Sequence, residues 1–157
     1  MVGEEAPAVR PYGSDDLVSV AGLVGDERAV EQERHRAHVA AHDARAGVAV
    51  WIETSDRQGV LSFVATDPRL VSVNNRVRLF YGLALACARE ALGRGVERGR
   101  FTLRDARVVA MVEKDFNVVA RGVGRNPRTG VEVGWEVVVD VATVVRQLEA
   151  WLRYQEA

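Results

Sequence analysis

Apolar and polar positions follow two different periods along this chain, and each change of period marks an element. Runs rich in valine, isoleucine and aromatic residues predict strands, and the clearest two flank a turn at residues 56–59. Apolar residues that recur every three or four positions predict helices. The pattern predicts strands at 8–12, 48–53, 60–66, 100–103, 117–123 and 131–141, with a further candidate at 70–73. It predicts helices at 14–25, 27–45, 77–94, 105–115 and 142–154.

The order of these elements constrains the sheet. An early hairpin, a strand–helix–strand crossover in the middle and a late hairpin require a sheet with both antiparallel and parallel pairs. We therefore predict an α/β fold of the mixed-sheet kind, with six or seven strands and helices on both faces. The strand at 100–103 should pair with the region 60–73. Residues 1–7 are predicted to be a flexible acidic tail, and 8–157 a single domain whose last element is the C-terminal helix at 141–157.

Several segments carry a resemblance to a known family. Val9-Arg10-Pro11 followed by Ser14-Asp15-Asp16-Leu17 resembles a first strand and the start of a first helix. Residues 48–66 resemble the second and third strands, and 110–116 followed by Asn117 resemble the passage from a fourth helix into a sixth strand. Over 8–141, the order and spacing are similar to the GNAT superfamily of N-acetyltransferases. The resemblance implies a splayed central strand pair and an acyl-CoA substrate, acetyl-CoA or another acyl-CoA.

The resemblance also implies a site for the pyrophosphate of acyl-CoA. In the family a loop of the form Gln/Arg-x-x-Gly-x-Gly/Ala leads into the central helix, where unpaired backbone amides attract phosphate. The best match is 79–84, in which Gly82 and Ala84 fit and Leu79 replaces the Gln or Arg. Arg76 and Arg78 would then supply the positive charge. The alternative is a plain amphipathic helix in which Gly82 permits close packing.

The catalytic residues are left unassigned by the resemblance. A tyrosine that protonates the leaving thiolate in the family aligns with Met111, which cannot donate a proton, and Asp115 replaces a glycine. Asp67 and Glu53 are candidates for a general base by position only.

Met111, together with Leu79, Phe80 and Tyr81 in the matched segment, supports an alternative function: a non-catalytic protein of the same fold, kept for binding or for assembly as an oligomer or a virion subunit. In that case Leu79, Phe80 and Tyr81 would fill the groove that acyl-CoA occupies in the family.

All three histidines fall within the predicted helix at 27–45. The spacing of His35, His38 and His42 would place them on one helical face. Three imidazoles can bind a transition metal, but one straight helix rarely directs three rings to one ion. We therefore predict a polar outer face and no metal site. Contact with the acceptor substrate is a further alternative, because the family's first two helices border the acceptor site.

Composition narrows the classes of partner. The 157 residues carry a formal net charge of −1, which gives no broad basic surface for nucleic acid. Cys87 is the only cysteine, so neither a disulfide within the chain nor a thiolate zinc site is expected. The chain contains no run of about 18 apolar residues, so no membrane span is predicted. The acidic N-terminus is unlike a signal peptide. Together with the resemblance, these features predict a cytoplasmic N-acyltransferase with an unidentified amine acceptor, in a homo-oligomer or larger assembly.

Overall fold

The computed structural model describes residues 8–25, 35–54, 57–116 and 118–156. The strands are β1 (Val9–Pro11), β2 (His35–Ala40), β3 (Gly47–Glu53), β4 (Gln58–Thr66), β5 (Arg98–Leu103), β6 (Arg121–Arg125) and β7 (Glu132–Asp140). The helices are α1 (Leu17–Val24), α2 (Val73–Gly93), α3 (Ala106–Phe116) and α4 (Val141–Glu156), with a short 3₁₀ helix at Ser14–Asp16.

The strands form one sheet in the order β1-β2-β3-β4-β5-β7-β6. Every neighbouring pair is antiparallel except β4 and β5, which run parallel and are connected through α2. A parallel pair needs such a crossover, because its strands begin at the same edge of the sheet. The predicted mixed sheet is therefore confirmed, and so is the pairing of the strand near 100–103 with the region 60–73.

Helices cover the two faces of the sheet unequally. One face, the helix-rich face, packs against α2, α3 and α4, and its core includes Trp51, Leu79 and Leu83. The other face, the α1 face, packs against α1, where Val20 meets Val50 of β3. Helices thus lie on both faces, as predicted.

The helix predicted at 27–45 is wrong where the structure describes it. Residues 35–40 form β2, which fills the position between β1 and β3 and pairs with both. Val39 is fully buried in the cluster on the α1 face, and Ala40 is fully buried in the cluster on the helix-rich face. The alternation of a strand was therefore present, but alanines and charged residues gave it the composition of a surface helix. Residues 26–34 lie outside the described ranges, as does the predicted tail at 1–7.

The candidate strand at 70–73 is also wrong. The amide of Leu70 donates to the carbonyl of Asp67 in a turn, and α2 begins at Val73 after Ser72. The helix therefore starts four residues earlier than the sequence predicted. Because of this earlier start, the backbone amides without a helical acceptor at the N-terminus of α2 belong to different residues from those expected.

Candidate functional site

The parallel pair β4 and β5 separates partway along its length. Its register runs from Gln58 opposite Arg98 to Leu61 opposite Phe101, whereas β4 continues to Thr66. A β-bulge lies at the point of separation. On β3, consecutive residues Val50 and Trp51 face Phe63 and Leu61, so that Ser62 of β4 is left without a partner in the β3 register. Bulges bend a strand and increase its local twist, which accounts for the separation of β4 from β5.

A cavity of about 520 Å³ occupies the space between the separated strands. Its sides are β4 and β5, and α2, α3 and α4 close it on the helix-rich face. The apolar side chains that line it include Leu61, Val64, Phe80, Ala84, Phe101 and Val112. The polar side chains that line it include the buried Tyr81 and, at its edge, the exposed Ser62, Arg100, Thr102, Arg104 and Asp105. A mostly apolar cavity with a few polar groups is the usual form of a small-molecule site.

The N-terminus of α2 lies on the same face as the closed side of the cavity. Ser72 is the N-cap residue, with an extended backbone, and the first turn contains no acidic side chain. The first amides of a helix lack intrahelical acceptors and lie at the positive end of its dipole. Arg76 and Arg78 follow within the first two turns. Phe80, the first residue of α2 to line the cavity, is about 10 Å farther along the helix from Val73.

Gly82 and Ala84 are in the interior of α2 and not in a loop before it. A Cβ atom added to Gly82 would lie 3.5 Å from Cγ2 of Val9, so this glycine lies directly against β1. Ala84 instead lines the cavity. The structure therefore separates the residues matched to the phosphate loop: Arg76 and Arg78 lie near the helix N-terminus, Ala84 lies at the cavity, and Gly82 faces the first strand.

Leu79 is absent from the cavity lining, whereas Tyr81 is part of it and is held in place by α3 and α4. Leu79 is fully buried, and a Cβ atom added to Gly47 of β3 would lie 3.0 Å from its Cδ2. The ring of Tyr81 packs edge-on against Phe116 and Trp151 at the junction of three helices. Its hydroxyl donates a hydrogen bond of 2.8 Å to Oδ2 of Asp115. Burial and this carboxylate raise the pKa of Tyr81, so the phenol stays protonated and holds α2 to α3.

The carboxylates considered as bases lie outside the cavity lining. Asp67 follows β4 and bonds the guanidinium of Arg69 at 3.0 Å, which lowers the pKa of Asp67. Glu53 ends β3 and accepts from Nε of Arg94 at 3.3 Å. Met111, where the family places its tyrosine, packs against the core cluster. The cavity thus receives none of these three side chains as a proton-transfer group.

The residues that the sequence reasoning missed are on β5. Arg100 and Thr102 point to the α1 face, opposite to Phe101 and Leu103, and Arg104 follows the strand. All three line the cavity edge. Residues 98–104 read Arg-Gly-Arg-Phe-Thr-Leu-Arg. This strict alternation of polar and other residues could have identified Arg100, Thr102 and Arg104 as side chains on one face of a strand.

The histidines do not share a helical face. His38 projects from β2 toward α2, where its Nε2 lies 3.4 Å from Oε1 of Glu90, and the same oxygen accepts from Nε1 of Trp51 at 2.6 Å. His42 lies in the connection after β2, and the side chain of His35 lies outside the described set. Among the residues whose placement is described, no cluster of histidine, cysteine and carboxylate side chains has the geometry to hold a metal ion. Within the same residues, none of the helices combines the length and apolarity that a membrane span requires.

Comparisons with known proteins identify the fold. No family model matches the chain, and no curated protein sequence matches it. Among solved structures, the ribosomal-protein-S18-alanine N-acetyltransferase from Escherichia coli superposes with a TM-score of 0.64 at 16% identity, covering 85% of this chain and 93% of the other. An acetyltransferase from Bacillus subtilis in complex with CoA gives 0.59 at 14% identity, covering 85% and 98%. A GCN5-related N-acetyltransferase from Rhodopseudomonas palustris gives 0.62 at 14% identity, covering 89% and 99%. The chain therefore has the GNAT fold, as predicted.

Proposed function

We propose that this chain, which has the GNAT fold, is an N-acyltransferase that transfers an acyl group from an acyl-CoA to an amine. In the reaction the amine nitrogen attacks the thioester carbonyl carbon, a C–N bond forms and the C–S bond breaks. The attacking nitrogen loses a proton, and the departing thiolate of CoA gains one. Acetyl-CoA is the simplest donor for this chemistry.

The observation that carries the proposal is the cavity between the separated strands. Beyond Leu61, the edge of β4 that faces β5 has no strand pairing in the described register. The backbone groups of such an edge can pair with an extended ligand, as in the addition of a strand to a sheet. The pantetheine arm of CoA carries amide groups along a narrow chain, so it fits an apolar slot that has a backbone edge on one side. The B. subtilis structure of the same fold contains CoA.

The phosphates of the donor would lie at the N-terminus of α2. The amides that begin α2 and the positive end of its dipole favour an anion there, and Arg76 and Arg78 add charge. Ala84 would line the path of the pantetheine arm, because its side chain faces the cavity. Gly82 would contribute indirectly, by letting α2 approach β1 closely.

Positioning would supply most of the rate enhancement. Met111 cannot protonate the thiolate, and Asp67 and Glu53 are paired with arginines away from the cavity. Well-oriented reactants can gain roughly 7–11 kcal/mol from proximity alone, whereas a side-chain acid or base adds about 10²–10⁴-fold. A slow transferase that exchanges protons with water is therefore the expected form of the activity.

The competing function is a non-catalytic binding or assembly role. It would gain support if Leu79, Phe80 and Tyr81 filled the groove. Leu79 instead packs onto β3, while Phe80 and Tyr81 lie at the wall of a cavity that stays open, with the Tyr81 hydroxyl bonded to Asp115. This arrangement favours the transferase over the assembly role.

Calorimetry with acetyl-CoA tests the proposal. Binding is expected, and Ala84→Phe should abolish it because the larger side chain would occupy the cavity. Arg76→Ala and Arg78→Ala should weaken it by about tenfold each, since charge-assisted hydrogen bonds contribute roughly 1.5–3 kcal/mol. Arg89→Ala is the matched control, because Arg89 lies on the same helix near its other end and pairs with Glu149.

The result that contradicts the proposal is equally direct. No heat at about 1 mM acetyl-CoA, a concentration that detects affinities down to roughly −4 kcal/mol, from protein shown to be folded by circular dichroism, would exclude acyl-CoA as a ligand. Binding that Ala84→Phe leaves unchanged would place the ligand elsewhere.

A further inference from the structure

The mouth of the cavity on the α1 face is positively charged. Arg100 and Arg104 line it on either side of Thr102, and both arginines are exposed. Their Cα atoms are about 13 Å apart along an extended chain. Two arginine side chains can reach across that gap toward one ligand, with Thr102 between them on the strand, and Ser62 of β4 also lines the cavity.

The neighbouring carboxylates already have partners. Asp105 bonds the backbone amide of Arg107 at 2.8 Å. Glu136, opposite Thr102, lies 3.6 Å from Nη2 of Arg121. Asp140 accepts from Oγ1 of Thr143 at 2.6 Å.

Asp105 lies at the same edge but pairs with Arg107 at 3.4 Å, so it does not neutralise the two arginines of the mouth. Neither Arg100 nor Arg104 forms an ion pair with another residue of the described ranges. A guanidinium that has no acidic partner at the edge of an apolar cavity is well suited to a planar oxyanion, which it can bind through two parallel hydrogen bonds.

The two sides of the cavity differ in the groups that they present. The N-terminus of α2, proposed above for the phosphates of the donor, lies on the helix-rich face. Arg100 and Thr102 point to the opposite face, because strand side chains alternate and Phe101 lies in the core under α2. An amine that attacks a thioester held between the strands can approach from this second side without meeting the donor.

We propose that the acceptor is an amine that carries an oxyanion, a carboxylate or a phosphate, bound by Arg100 and Arg104. This inference rests on the proposed acyl transfer for the identity of the ligand as an acceptor, but not for the existence of the anion site. Phe63 of β4 lines the cavity and packs with the cluster on the α1 face, the side to which Arg100 points, so it fits an acceptor whose amine and oxyanion flank an apolar body.

Paired amines that differ only in the oxyanion test the inference. L-phenylalanine is compared with phenethylamine for the carboxylate, and O-phosphoethanolamine with ethanolamine for the phosphate. Binding is measured by calorimetry and acetyl transfer by release of the CoA thiol. In at least one pair the anionic member should bind or react about tenfold better, as expected for a charge-assisted contact.

Charge-neutral variants assign the preference to residues. Arg100→Gln and Arg104→Gln should each reduce the preference to about threefold or less, whereas Arg98→Gln should keep it. Arg98 is the matched control because it lies on the same face of β5, outside the cavity lining, opposite Asp140. All three side chains are exposed, so the variants should fold alike.

The outcomes separate this inference from the proposed function. Acetyl-CoA binding together with equal use of both members in each pair would overturn the anion site and leave the transferase intact. Anion binding that is lost in Arg100→Gln, without any acetyl transfer, would keep the site and overturn the transferase. A preference that survives in both Arg100→Gln and Arg104→Gln would refute the assignment to these residues.

Discussion

The two halves of the sheet are built differently. In the covered half, β1 to β4, helices pack on both faces, and the first five residues of β3 are all buried. In the open half, β5, β7 and β6, only the helix-rich face is packed among the described residues, and β5 alternates exposed and half-buried positions. The sequence of each strand reflects this cover: β3 reads as a continuous apolar run, and β5 alternates.

The candidate site lies where these halves meet. The covered half supplies one wall in β4, which pairs with β3, and Leu79 and Leu83 of α2 pack under β3. The open half supplies polar side chains that reach solvent. Because the parallel pairing between the halves covers only residues 58–61 of β4, a cavity can form beyond it. A packed wall on one side and solvent access on the other suit the two-substrate site that we propose.

The largest difference between the halves should appear when one valine is shortened in each. Val50 of β3 and Val138 of β7 both point to the α1 face, but Val50 is fully buried under α1 and Val138 is 54% exposed. Val50→Ala should lower the free energy of unfolding by about 2 kcal/mol, because it removes two methyl groups and leaves a cavity. Val138→Ala should change it by about 0.5 kcal/mol or less.

Urea denaturation of both variants measures this contrast. Similar losses in the two variants would show that the α1 face of β7 is buried in solution, and the distinction between the halves would then fail.

A smaller difference in stability between the halves is expected when one glycine in each half is replaced by alanine. A Cβ atom at Gly47 would lie 3.0 Å from Cδ2 of Leu79 and 3.1 Å from Cδ1 of Leu83, and both leucines are fully buried. Gly47→Ala should therefore cost about 1–2 kcal/mol through overpacking. At Gly134 of β7 the nearest atom, Cγ2 of Val123, would be 3.7 Å away, an ordinary contact.

Gly134→Ala should accordingly leave stability unchanged or raise it slightly, since alanine restricts the unfolded chain. Thermal denaturation followed by circular dichroism compares the two variants. A loss at Gly134 as large as that at Gly47 would mean that the open half is packed as tightly as the covered half.

The sequence predicted most of the fold because, in most elements, the spacing of apolar residues matches the burial of those residues in the folded protein. The hairpin of β3 and β4, the long α2 and the alternating β5 all carry the period of their final structure. β2 was misassigned because His35–Ala40 has few β-formers, and only its pairing with β1 and β3 makes it a strand. Tertiary context decides such weakly patterned segments.

The candidate site was less predictable than the fold. Its cavity results from a one-residue bulge at Ser62, and no residue type there signals a bulge. The phosphate-loop match depended on where α2 begins, and helix boundaries are poorly fixed by sequence. Arg100 and Arg104 could have been found from the alternation in β5. That neither arginine has an acidic partner can be seen only in the folded structure, where the positions of β7 and α3 are known.

The smallest expected effect concerns the polar contact that attaches α1 to the covered half. Arg10 of β1 donates two hydrogen bonds of 2.7 Å to the carboxylate of Asp16, and the amide of Gly13 donates a third of 2.9 Å. The Arg10 guanidinium, helped by the Gly13 amide, lowers the pKa of Asp16 below its ordinary value although burial opposes this shift. In the open half, Glu136 and Arg121 are 3.6 Å apart and make a looser pair.

Asp16→Asn should therefore cost about 1 kcal/mol at pH 7, a modest value because Arg10 is partly exposed to solvent. A carboxyl whose folded pKa is lowered stabilises the protein above its unfolded pKa, near 4, and loses this contribution as the pH falls through the folded value. The difference between wild type and Asp16→Asn, measured by urea denaturation, should thus be constant from pH 7 to about 5 and shrink below about 4.

Arg10→Gln should reproduce the effect, and the double variant should lose little more than either single variant. Glu136→Gln, the matched change in the open half, should have almost no effect at any of these pH values. A difference for Asp16→Asn that persists unchanged at pH 3 would show that the carboxylate charge does not hold α1 in place.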